Sequence, residues 1–178
     1  MKQPYLSSIL VLLLCIGLPA SSAPPPQDGK PTFISADGPE VLKGLKDIGV
    51  FVERFPKDLL TPSLTMEAVK NDIELKLKLG GLHVVPTLEA QQTHVPILYV
   101  NLNGFKAINN LFVYNINLFL QEDVTAVRAK NVVITNAVVW QREFVGATGE
   151  LNLPAIRTDL KDDIDTFLND YMVSNPKP

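Results

Sequence analysis

Cysteine is almost missing from this 178-residue chain: Cys15 is the only one. One thiol excludes an internal disulfide, a thiolate metal cluster and the disulfide framework usual in small secreted eukaryotic domains. Histidine is scarce as well, with only His83 and His94. A zinc site would need both plus a carboxylate. They fall in an expected strand and an expected loop, without the i, i+4 spacing of a helical metal pair, so no metal and no cofactor is expected. The chain also has no P-loop, no G-x-S-x-G, no H-E-x-x-H and no C-x-x-C. The common signatures of nucleotide, serine and zinc hydrolysis and of dithiol chemistry are therefore absent. No Asn is followed two residues later by Ser or Thr, so there is no N-glycosylation acceptor.

Positive charge is in short supply. Sixteen Lys and Arg stand against nineteen Asp and Glu, a net charge of −3. A mildly acidic domain without a basic cluster is a poor partner for nucleic acid or anionic headgroups, whose binding rests on neutralising phosphate. No nucleic-acid partner is expected.

Long apolar runs are rare too, and the exception sets the compartment. Lys2 supplies a positive start, Ile9 to Leu18 an apolar stretch, Pro19 a break, and Ala20, Ser21, Ser22 and Ala23 a run of small residues. That order is the grammar of a signal peptide. The stretch is shorter than the roughly 20 residues a transmembrane helix needs. Residues 1–22 are read as a signal peptide cleaved after Ser22, which leaves no stable membrane insertion. A retained N-terminal anchor is the alternative. Three leucines precede Cys15, where a lipid-anchor motif needs a small residue, so lipidation is not expected. The missing disulfides and glycosylation sites lean towards an exported bacterial protein, periplasmic or secreted.

Residues 23–44 begin with a Pro- and Gly-rich stretch and read as a flexible linker. The remainder, 45–178, is long enough for one domain with its own core; hydrophobic residues make up 46% of the chain.

Within that domain Ile48, Val50 and Val52 alternate, which predicts a strand over 45–54 closed by Pro56. Thr65 is a fitting N-cap for a helix over 65–79, with Val69, Ile73 and Leu77 on one face and Gly80-Gly81 as the stop. A short strand, Leu82 to Val85, ends at Pro86. Residues 87–96 show no period and read as a loop. Residues 97–104 and 111–122 read as a hairpin. Phe112, Tyr114, Ile116, Leu118 and Leu120 lie on one face of the second strand, and Asn115, Asn117 and Gln121 on the other. A third long strand is expected over 132–145, with Val132, Ile134, Val138 and Trp140 on one face. The last helix starts near Pro154 and carries Ile156, Leu160, Ile164, Phe167, Leu168 and Tyr171 as its apolar stripe. Asp159, Asp162, Asp163 and Asp165 are expected on its solvated side. The expected fold class is α+β: a mostly antiparallel sheet of four or five strands with two helices on one face.

Asparagine is disfavoured in strands. Tyr99, Asn101, Asn103, Asn115 and Asn117, bordered by Gln121, are nevertheless expected to share one sheet face. They form a candidate ligand or partner face, to which Trp140 could add a stacking surface; no catalytic residue is identifiable. The plain alternative is a solvated face for the Asn group and a core position for Trp140.

The runs ILYVNL (97–102), FLQEDV (119–124) and AVVW (137–140), with the tail DIDTFLNDYMVSNP (163–176), resemble a group of small exported bacterial domains of unknown function. Those domains end in an Asp-x-Phe-x-x-Asp-Tyr helix and an Asn-Pro. The likeness spans roughly residues 45–176 and implies a fold but no activity. The order of elements also looks like the anticodon-binding-like module of the TolB N-terminal domain, a likeness of topology alone. Two readings follow. One is a non-catalytic envelope adaptor whose 45–54 strand offers an edge to a protein partner. The other is a glycan- or peptide-binding protein, or a hydrolase, working from the Asn face.

Overall fold

The structure is a computed structural model that describes residues 38–177. The signal peptide and most of the linker lie outside the described residues. The described part belongs to one compact unit, 34–178. It holds five strands and three helices: β1 (Asp47–Val52), α1 (Met66–Leu79), β2 (His83–Val85), α2 (Thr87–Thr93), β3 (Ile97–Lys106), β4 (Leu111–Thr125), β5 (Val133–Gly149) and α3 (Ala155–Ser174).

The strands form one sheet in the order β2-β1-β3-β4-β5. β1 runs parallel to both β2 and β3, whereas β3–β4 and β4–β5 are antiparallel. The sheet is mixed, which corrects the mostly antiparallel expectation. Parallel neighbours need a crossover, and here α1 and α2 supply one each. The first crossover steps to one side of β1 and the second back past it. Right-handed crossovers in opposite directions place their helices on opposite sheet faces. The apolar residues divide accordingly. Val69, Ile73 and Leu77 of α1 share a buried cluster with Ile48, Val50, Leu98, Ile116 and the α3 stripe. Ala90 of α2 joins Val85 and Ile97, with Phe51 packed against them.

Residues 87–93 are therefore helical, against the loop expectation. Pro86 stands just before the first turn, and Ala90 is the helix's buried residue. Two turns are too short to print a helical period on the sequence. β1 is also not an edge strand, because it lies between β2 and β3. β2 pairs with it over Asp47–Gly49.

Elsewhere local signals match local structure. Thr65 accepts the Ala68 amide at 3.1 Å, a cap worth about 1 kcal/mol. β4 alternates buried and half-buried side chains from Phe112 to Leu120. The end of the expected linker is part of the fold: Leu42 is fully buried, and Asn175 donates to the Leu42 carbonyl (2.8 Å) while accepting from the Gly44 amide (2.7 Å).

β5 departs from its expected pattern. Trp140 lies opposite Leu120, yet Val138 lies opposite Gln121, so Val139 is an extra residue. The bulge turns Trp140 to the buried face and Val138 to the other. A second register shift follows between Glu122 and Val124. Trp140 is 2% exposed, stacks edge-on against Phe167 with centroids 5.0 Å apart, and donates to Asp170 of α3 at 3.0 Å.

The acidic face of α3 needs a correction too. Asp163 is 3% exposed and accepts from Arg142 of β5 at 2.6 Å. Asp159 accepts the Tyr114 hydroxyl. Burial first, and then Asp159, hold that hydroxyl protonated far above its ordinary range. Residues 156, 159, 160, 163, 164 and 167 recur at helical spacing, so these two acids border the apolar stripe. Asp165 does face outward, pairing with Lys76 of α1. Asp72 of α1 accepts from Arg157 (2.6 Å) and pairs with Lys161 (3.0 Å); the Arg157 bond holds its carboxyl below the usual range.

Gly49 is where α2 meets β1. A Cβ there would stand 2.5 Å from the Ala90 Cβ. Gly49→Ala is expected to cost about 1–3 kcal/mol by overpacking. Adding Ala90→Gly should recover part of it, and urea unfolding of the single and double variants measures both. Additive losses would show that the two positions do not touch.

Candidate functional site

β3 and β4 pair with Asn101 opposite Asn117 and Asn103 opposite Asn115. Residues directly opposite share a face, so the four expected asparagines do meet. Tyr99 lies on the same face, one pair further along, opposite Phe119. Gln121 follows opposite Ile97. Trp140 belongs to the other face and does not join them.

The amides are spent on one another. Asn101 donates to Glu53, while its carbonyl oxygen accepts from Asn103 and, at 3.2 Å, from Asn117. Asn117 also donates to Asn115, which donates to the Phe144 carbonyl at 3.3 Å. The Tyr99 hydroxyl donates to Glu53 Oε2 at 2.7 Å. The bonds from Tyr99 and then Asn101 hold the Glu53 carboxyl below its ordinary range, and Glu53 raises the Tyr99 hydroxyl in return. Phe51, Tyr99 and Phe119 form an aromatic row beside this ladder, with centroids 5.3 and 6.4 Å apart. The arrangement staples three strands across their open face and leaves few free donors for a ligand. Sequence reasoning missed Glu53, because it lies beyond the end of β1 and only the parallel pairing with β3 brings it beside Tyr99.

A cleft of about 340 Å³ opens at the end of the sheet where β4 leaves β3. Gln91, His94, Gln121, Glu122, Asp123 and Asn136 line it. His94 Nδ1 is 2.8 Å from Asp123 Oδ2, and Asp123 Oδ1 accepts the Asn136 amide at 3.3 Å. His94 and Asn136 both have positive φ, 58° and 55°, a conformation uncommon outside glycine. His94 ends α2, and Asn136 lies in the irregular stretch of β5 opposite the second register shift. A His–Asp pair is the base and orienter of many hydrolases. Here the imidazole is 68% exposed, and hydrolysis would also need a nucleophile and an oxyanion hole. The pair ties the end of α2 to β4. His83 likewise meets Asp47 at 2.8 Å on the surface. Among the described residues no group of His, Cys, Asp and Glu is gathered closely enough to hold a metal ion.

No family model matches the chain, and no curated protein matches it. Among solved structures it is similar to a PelC dodecamer from Paraburkholderia phytofirmans, a variant with one substitution. Identity is 18%, the match covers 74% of this chain and 93% of that one, and the TM-score is 0.46. No residue role is transferred on that likeness, and it does not bear on the TolB resemblance.

Glu122 reports on the cleft. Desolvation raises its carboxyl above the ordinary range. A carboxyl raised in the folded state destabilises the fold while ionised and ceases to do so as pH falls through that raised value. Glu122→Gln should therefore raise the melting temperature at pH 7, with the gain vanishing towards pH 4. Melts across that range check it; an equal gain at both ends would rule out charge burial as the cause.

Proposed function

We propose that this chain is an exported, non-catalytic interaction module of a bacterial cell envelope, and that it binds a protein partner by strand addition along β5. One observation carries the reading: β5 is a seventeen-residue strand at the end of the sheet. Among the described residues nothing pairs with its outer edge, which offers unpaired backbone donors and acceptors. Natural edges are blunted by brevity, proline, charge or a β-bulge; β5 carries its bulge at Val139, and its regular length is 140–149. The opposite edge, β2, has three residues and is followed by Pro86. β5 has no proline and no lysine, and its only charged residues are Arg142 and Glu143. Val133, Ile134, Val138 and Val145 of this strand are 42–69% exposed. The partner edge expected at 45–54 is replaced in this reading by 133–149.

The α3 helix serves as the layer that stiffens the sheet beneath that edge. Arg142 and Trp140 of β5 are held from below by Asp163 and Asp170 of α3. The alternative, a glycan or peptide binder or a hydrolase at the Asn face, has weaker support, because those amides bond to each other.

The test is site-specific photocrosslinking in the envelope of cells making the full chain. A crosslinker at position 143 or 147 should capture protein in a form lost, by tenfold or more, on adding the edge charge Val145→Lys. The same crosslinker at Leu75, exposed on α1, should capture little. Capture from Leu75 alone would contradict the reading.

A further inference from the structure

We infer that the strand added to β5 is β5 of a second copy, giving a two-fold symmetric dimer with Val145 at the axis. This rests on the edge reading above and names its partner.

Three observations lead there. First, among the described residues the sheet has one long open edge and one blunted edge. A single competent edge can pair with itself and close as a dimer, whereas a filament or ring needs two complementary edges. Second, the stretch 140–149 lies opposite Leu111–Leu120 without a register shift, so it is regular enough to pair over ten residues. Residues 133–139 hold the bulge and the positive-φ Asn136 and are unsuited to it. Third, the charges exclude two registers. In a continuous antiparallel sheet, opposed residues lie on the same face, so the two-fold axis passes through a residue. An axis at Arg142 or Glu143 would set like charges directly opposite, which is destabilising.

Val145 is the most exposed large hydrophobic residue of this stretch, at 69%. An axis there buries it against its own copy. It also sets Glu143 opposite Ala147 and Phe144 opposite Gly146 of the second copy, so no charge meets a like charge. The α3 acids beneath the strand are already engaged: Asp159 by Tyr114, Asp163 by Arg142 and Asp170 by Trp140. Of these three bonds only the one from Arg142 brings a positive charge.

The test uses the exported protein with Cys15→Ser, so that an introduced thiol is the only one. Opposed residues of an antiparallel pair stand close enough for a disulfide. Val145→Cys should oxidise to a covalent dimer in high yield, and Gln141→Cys, which would face Gly149, should give at least tenfold less. Sedimentation of the thiol-free protein should show a dimer, and Val145→Lys, with unchanged circular dichroism, should shift it to monomer. A monomer at millimolar concentration, or equal disulfide yields at 141 and 145, overturns the self-pairing. In that case photocrosslinks from β5 to a different protein would leave the edge reading standing, whereas their absence would remove both.

Discussion

β4 is hydrogen-bonded to a neighbour on each side over most of its fifteen residues. With a side-chain period of two, a slip of one residue against either neighbour would turn Phe112, Ile116 and Leu118 to water. The same slip would drive Asn115 and Asn117 into the core. Burial of the apolar set and the mutual bonding of the amides enforce the same register from opposite faces. The two long strands flanking β4 are thereby fixed, and α3 is fixed in turn, because it bonds to Tyr114 of β4 and to Trp140 and Arg142 of β5.

The molecule is consequently uneven. At one end, β1 and β2 are short, covered by α1 on one face and α2 on the other, and finished by Pro86. At the other end, β5 has a neighbour on one side only among the described residues and carries exposed valines over its length. The Asn ladder belongs to the stiffening of this sheet: it links Glu53 after β1 to the β5 backbone at Phe144. A polar face that is satisfied internally resists unwanted docking on the sheet surface, and leaves the strand edge as the place where hydrogen bonds are still to be made.

Much of this was readable in the chain, and the failures have physical causes. The alternation of β3 and β4, the Thr65 cap and the α3 stripe are local patterns, and all appear in the fold. That the four asparagines meet followed from one hairpin register. The mixed sheet did not follow, because whether a short strand pairs in parallel depends on where its crossover lands. α2 was hidden by its length. Alternation alone puts Trp140 and Val138 on one face, because an extra residue at Val139 leaves no mark on composition. Residue type alone sends Asp159 and Asp163 to solvent, although their spacing from Leu160 and Ile164 puts them beside the stripe. The significance of β5 was invisible, since edge status belongs to the whole sheet.

The most direct check is backbone hydrogen exchange along 140–149, followed amide by amide at low and high protein concentration. The account predicts alternation at low concentration: amides bonded to β4 exchange slowly, and those pointing away exchange fast. The fast set should become protected as concentration rises. Uniform protection already at low concentration, or a fast set that stays fast however concentrated the protein, would contradict an edge built to be paired.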